Sequence, residues 1–187
     1  MQEIPTSRLS ALTSDAHDVP RPQSTASSAP LLSYEDFYAL VALNAHYAAV
    51  LDSGDWEQWP EFFEETCTYQ VLPRENHEHG WPLAVLAFES KGMLKDRIYG
   101  IKETLFYDPY YQRHIIGTPL IHRVEGDLIE AETNYAVLRT KTEQMSDVYN
   151  TGRYLDRIRK TQQGLRFESR ICVFDSEMIP NSLIYPI

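Results

Sequence analysis

The closest histidine pair in the sequence is His77-Glu78-His79, and an H-x-H pair can hold a metal when a strand turns both rings to one face. The pair stands inside Pro73-Arg74-Glu75-Asn76-His77-Glu78-His79-Gly80, whose proline, glycine and polar side chains read as turn and loop. Solvated surface rings are expected there, and no metal ligand is assigned. Redox clusters fail by count. A Rieske centre needs two Cys and two His at paired spacings, yet neither Cys67 nor Cys172 has a histidine within three residues. A thiolate-only cluster needs more than the two cysteines present. Neither G-x-G-x-x-G nor G-K-S/T offers backbone N–H groups to a nucleotide phosphate. A G-x-S-x-G nucleophile elbow is missing too, and neither cysteine lies at a helix start beside an activating charge.

Acid–base chemistry passes this sieve. Tyr47, Asp55, Tyr69 and His114 could serve an isomerase or dehydratase if one enclosed pocket gathered them. The plainer role for the tyrosines is core packing with a satisfied hydroxyl, because both fall at apolar-face positions. His114 follows Arg113 in a strand-like run, where a hydrogen-bonded structural histidine is expected.

The elements that would position these groups follow from periodicity and caps. Ser33 and Asp36 approximate a capping box, after which Phe37, Leu40, Asn44, Tyr47, Ala48 and Leu51 recur at helical spacing. Asp52-Ser53-Gly54 stops that helix, with Gly54 as its C-cap. A short second helix is expected from Asp55 to about Phe63, with Trp56, Trp59, Phe62 and Phe63 as its apolar face and Pro60 near its first turn or kinking it. A strand follows in which Cys67, Tyr69 and Val71 alternate with Thr68 and Gln70. Another strand is read near Leu83 to Phe88. Ser90 then caps a third helix reaching about Glu103, with Met93, Ile98 and Ile101 inward.

Beyond Tyr110 the pattern is antiparallel sheet. One strand covers about Tyr111 to Val124, with Pro119 marking a bulge or sheet edge. After the turn Glu125-Gly126-Asp127, Ile129, Ala131, Thr133, Tyr135 and Val137 share one face. Strands near Asp147 to Ile158 and after Gln162-Gln163-Gly164 complete the meander, the last with Leu165, Phe167, Ile171 and Val173 inward. Helices first and a long meander after them make an α+β domain, a curved sheet wrapped around an N-terminal helix in the cone-shaped cystatin/NTF2-like manner.

Composition sets the surroundings. Lys plus Arg number 17 against 27 Asp plus Glu, a net charge of −10, which repels phosphate backbones and anionic lipid. Neither a nucleic acid nor a membrane is an expected partner, and the cytoplasm is the expected compartment, with both cysteines as buried free thiols. Residues 1–32 are rich in Ser, Thr, Ala and Pro and are expected to be a disordered or extended tail before a domain at 33–187. The late basic cluster Arg153, Arg157, Arg159, Lys160, Arg166 and Arg170 is interleaved with Asp147, Asp156, Glu168 and Asp175. It reads as a salt-bridged outer sheet face, or as a patch for an acidic partner. The apolar ending Leu183, Ile184, Tyr185 and Ile187 needs a surface to cover, in this subunit or another. Its expected place is between subunits or on the sheet edge, with its loss weakening assembly more than the fold.

Taken together, Asp52-Ser53-Gly54-Asp55-Trp56-Glu57-Gln58-Trp59-Pro60, Met93-Leu94-Lys95-Asp96-Arg97, Tyr111-Gln112-Arg113-His114-Ile115 and the block from Ile171 to Ser182 resemble the small (beta) subunits of aromatic-ring-hydroxylating oxygenases. The likeness runs from Tyr34 to Ile187. Within that family, Pro73-Arg74-Glu75-Asn76, Tyr107-Asp108-Pro109-Tyr110-Tyr111 and Ile184-Tyr185-Pro186-Ile187 most resemble small subunits of salicylate 5-hydroxylases. Those of terephthalate dioxygenases are similar but looser. The resemblance implies a subunit without catalytic, cofactor-binding or metal-binding residues of its own. It would trimerise within a hetero-hexamer beneath large (alpha) subunits carrying the Rieske 2Fe-2S cluster and a mononuclear Fe(II). Electrons would come from NAD(P)H through a reductase and a ferredoxin, to hydroxylate salicylate or a related benzoate.

Overall fold

The computed structural model describes residues 32–176 and 183–187. The tail read at 1–32 therefore lies outside the described residues except for Leu32, which packs against the core. Helix α1, Tyr34–Ser53, starts where Ser33 Oγ accepts the Asp36 N–H, and ends at Gly54, whose φ of 73° suits a residue without Cβ. Leu40, Asn44, Tyr47, Val50 and Leu51 form its buried stripe.

Trp56–Phe62 is a 3₁₀ helix, not an α-helix, with Pro60 inside it and buried. So short a segment tolerates the missing proline donor because few of its N–H groups need a helical partner. Strand β1, Phe63–Pro73, follows directly. The expected loop after it contains one helical turn, α2, Arg74–Glu78. Strand β2 is only Leu86–Phe88, since Leu83 is exposed. Helix α3, Lys91–Tyr99, is capped by Ser90 as expected and runs into a π turn at Gly100–Thr104. Leu94, Ile98 and Ile101 face inward, whereas Met93, expected inward, is 40% exposed.

The sheet then comprises β3, Tyr110–Ile116, β4, Leu120–Glu125, β5, Leu128–Lys141, β6, Asp147–Thr161, and β7, Gly164–Phe174. The single strand read over Tyr111 to Val124 is thus two. Both pair with β5, β3 along its C-terminal half and β4 along its N-terminal half. The break falls at Gly117 to Pro119, where proline lacks the ladder N–H. The order is β2-β1-β7-β6-β5-β3, with β4 also on β5. Only β1–β7 is parallel among these pairings. Helix α1 packs across the inner face against β3 and β7.

On β5 the inward row Ile129, Ala131, Thr133, Tyr135 and Val137 is buried throughout, as its alternation dictates. On β7 the alternation changes step. Phe167 pairs with Ile158 and Ser169 with Arg157, leaving Glu168 as one extra residue. Such a bulge moves every later side chain to the other face. Leu165 and Phe167 point inward as expected, but Ile171 does not; Arg170, Cys172 and Phe174 take the inner face, each 0% exposed. Val173 is buried on the opposite face, where α2 packs on β1 and β7. No helix among the described residues is long and apolar enough to cross a membrane.

Candidate functional site

The space between α1 and the sheet brings Tyr47 and Tyr69 together, as an acid–base pocket would require, and fills it with the chain's own C-terminal segment. Tyr47 comes from the buried stripe of α1 and Tyr69 from the inner face of β1. Both hydroxyls donate to the Ile187 main-chain oxygen at 3.0 Å. Tyr47 also accepts from Trp59 Nε1 at 3.2 Å, and Tyr69 accepts the Ile187 N–H at 2.9 Å. Each phenol oxygen thus has its donor and acceptor roles taken, which leaves neither free to move a proton on another molecule. Burial pushes both hydroxyls well above the usual phenol range, so they stay neutral. Burial likewise raises Cys172, which touches the Ile187 main-chain oxygen at 3.6 Å, to about 12, and Cys67 to about 11. Neither thiol is a nucleophile at neutral pH.

The segment enters through main-chain contacts. Arg97 Nη2 donates to the Leu183 and Ile184 carbonyls at 2.8 and 2.7 Å, and Gln112 Nε2 to the Pro186 carbonyl at 3.3 Å. Leu183 and Ile187 join the main core, while Ile184 and Tyr185 form a second cluster with Ile101. Of the two surfaces the apolar ending could cover, in this subunit or another, it covers its own subunit's interior, and not the sheet edge or subunit boundary expected for it. Residues 177–182 of that tail lie outside the described residues.

Under the tyrosines lies an ion pair that the periodicity of β7 conceals. Arg170 Nε and Nη2 donate to the two Asp156 oxygens at 2.9 and 2.8 Å, and Nη2 also to Asn44 Oδ1 at 2.5 Å. Its guanidinium carbon stands 4.3, 4.1 and 3.9 Å from the ring centroids of Tyr47, Tyr154 and Phe167. Arg170 therefore belongs to the core, not to the outer charged face where its neighbours in sequence lie. Burial opposes its charge, but the Asp156 carboxylate more than offsets this and holds Arg170 ionised. Burial raises Asp156 in turn, although Arg170 pulls it down.

The remaining expected site residues do not join the tyrosines. Asp55 is exposed and accepts a hydrogen bond from Gln58. His114 is buried on β3, where its Nδ1 meets Asp52 Oδ1 at 2.7 Å and its backbone N–H reaches the same carboxylate at 3.0 Å. It is hydrogen-bonded, as its strand position suggests. Asp52 is the carboxylate that the sequence reading passed over as a helix stop. An acid at a helix C-terminus opposes the macrodipole, and that mismatch was the available signal. Beside this pair a cleft of about 340 Å³ is lined by Asp52, Trp56, Tyr110, Gln112, Thr140 and Tyr185. His77 and His79 fall on and just after α2, where side chains two residues apart diverge. His79 stacks on Trp81 at 4.6 Å. Among the described residues no three His, Cys, Asp or Glu side chains group as a metal site.

Residues 46–181 match the ring hydroxylating beta subunit family. The chain belongs to that family. This beta subunit is 31% identical to the anthranilate 1,2-dioxygenase small subunit of Burkholderia cepacia, over 81% of this chain and 94% of that one. It is 34% identical to subunit beta 2 of the terephthalate 1,2-dioxygenase terminal oxygenase component of a Comamonas species, over 79% and 96%. A crystal structure from Novosphingobium aromaticivorans, assigned as the beta subunit of an aromatic-ring-hydroxylating dioxygenase, superposes with a TM-score of 0.75 at 38% identity, covering 81% and 96% of the two chains. An NTF2-like protein of cystatin-like fold from the same organism shares the fold, with a TM-score of 0.59 at 22% identity over 77% and 84%. The expected α+β, NTF2-like architecture is the one observed.

Proposed function

We propose that this beta subunit is a non-catalytic structural subunit of a multicomponent aromatic-ring-hydroxylating oxygenase, supporting assembly of iron-bearing large (alpha) subunits. The observation that carries this reading is the filled cone: Ile187 occupies the acceptor position between Tyr47 and Tyr69 where an isomerase or dehydratase would hold substrate. In this reading the large subunit carries the Rieske 2Fe-2S cluster and mononuclear Fe(II), fed from NAD(P)H by a reductase and a ferredoxin. The beta subunit trimerises within a hetero-hexamer in the cytoplasm and contributes no catalytic, cofactor-binding or metal-binding residue. The substrate is salicylate or a related benzoate. The names of the two relatives, anthranilate and terephthalate dioxygenase subunits, support a carboxylated ring.

The test co-expresses the two subunits and compares wild type with Tyr47→Phe and His114→Asn. Turnover per assembled complex should change by less than about twofold, since neither residue meets the reacting atoms. A loss of about a hundredfold with assembly intact would place acid–base chemistry in this chain. Turnover of a small ligand by the isolated, iron-free chain would equally overturn the proposal.

A further inference from the structure

The C-terminal segment is held as a peptide ligand is held. Side chains remote in sequence capture its main chain: Arg97 at Leu183 and Ile184, Gln112 at Pro186, and Tyr47 with Tyr69 at Ile187. It adds no strand to the sheet among the described residues. Its side chains fill separate places. The Tyr185 ring sits 4.6, 5.3 and 4.5 Å from the rings of Trp56, Tyr107 and Tyr110, and its hydroxyl meets that of Tyr107 at 3.2 Å. Two residues on, Ile187 is fully buried in the main core with both its N–H and its main-chain oxygen bonded. Main-chain capture combined with spaced side-chain pockets is the physics of peptide recognition.

We infer that the cone interior is a peptide-binding site occupied in cis, and that once the connection to its own segment is cut it binds a separate apolar peptide presenting an aromatic residue two positions before an aliphatic one. This goes beyond the structural role proposed above, which would stand without it. Covalent attachment supplies the segment at a high effective concentration and keeps the site filled. Once the connection is cut, occupancy depends on peptide concentration.

A specific protease site engineered within residues 177–182 tests this. The full-length chain is folded, purified and then cleaved, and a labelled peptide Leu-Ile-Tyr-Pro-Ile is added. The released fragment should stay with the chain on gel filtration and exchange with excess labelled peptide. Tyr185→Ala in the synthetic peptide should weaken binding by at least about tenfold, because an aromatic anchor carries much of such an interface. The uncleaved chain should not bind. Fragment loss without rebinding, unfolding that the peptide does not reverse, equal binding of the Tyr185→Ala peptide, or equal binding to uncleaved chain would each overturn the inference.

Discussion

The two faces of the β6–β7 ribbon use the same chemistry to opposite ends. Inside, Arg170 and Asp156 pair with both side chains at 0% exposure. Outside, Arg157 bonds Glu168 at 3.1 Å and Glu130 at 3.2 Å, and Arg159 bonds Glu168 as well as Asp127, with arginine side chains 46% and 38% exposed. The outer lattice is the salt-bridged face that charge interleaving suggests, and water and salt screen it. The inner pair is shut off from solvent, which therefore cannot replace a lost partner. Glu168 stands between the two worlds: it is both the bulge that turns Arg170 inward and an anchor of the outer lattice. Where a charge pair sits, more than how well it is made, decides what it contributes.

The largest effect should come from Arg170→Ala, which strands Asp156 in the core and should cost about 3–5 kcal/mol by chemical denaturation. A double Arg170→Met, Asp156→Leu chain sharpens the comparison, because removing both charges should recover much of that loss. Equal damage in the single and double variants would show that packing, not charge, matters there.

Next comes Ile187→Ala, expected to cost about 2–5 kcal/mol as a large-to-small change at a fully buried site. Thermal unfolding of the isolated subunit is the readout. An unchanged melt would return the C-terminal segment to the surface role that its sequence first suggests.

Acid should separate the faces further. The Lys160 hydrogen bond, helped by Ser33, holds Asp36 below its ordinary value, and Lys91 does the same for Glu61. Burial alone would raise Glu168, but Arg159 and Arg157 bring it down. A carboxyl depressed by folding stabilises above its unfolded pKa, and that stability is lost as pH falls through the folded value. Asp156 is raised, so its contribution has the opposite sign and partly offsets the loss. Melting temperature should therefore drop below about pH 4, and Asp36→Asn should flatten that drop.

The smallest effect is predicted for Arg157→Ala, within about 1 kcal/mol and shrinking with added salt. A loss as large as that of Arg170→Ala would erase the distinction between the faces.

How much of this could be read from the chain depends on the range of the interactions. Helix α1 was legible from Ser33 to Gly54 because caps and a 3.6-residue stripe are local, and the β5 face was legible from strict alternation. The inward turn of Arg170 was not, since alternation carries no mark of one extra residue at Glu168. Asp55 was chosen over Asp52 because sequence cannot show which carboxylate the returning strand β3 will meet. Tyr47 and Tyr69 were rightly placed in the interior, but what fills the space between them arrives from over a hundred residues away.

The most direct test of the filled cone is amide hydrogen exchange at Ile187 in the isolated subunit, followed by NMR. Its N–H is buried against the Tyr69 hydroxyl at 2.9 Å, so exchange should require opening of the core and be slowed by several orders of magnitude relative to a free peptide. Exchange at the free-peptide rate would mean the cone stands open, and the case for a filled, non-catalytic interior would fail.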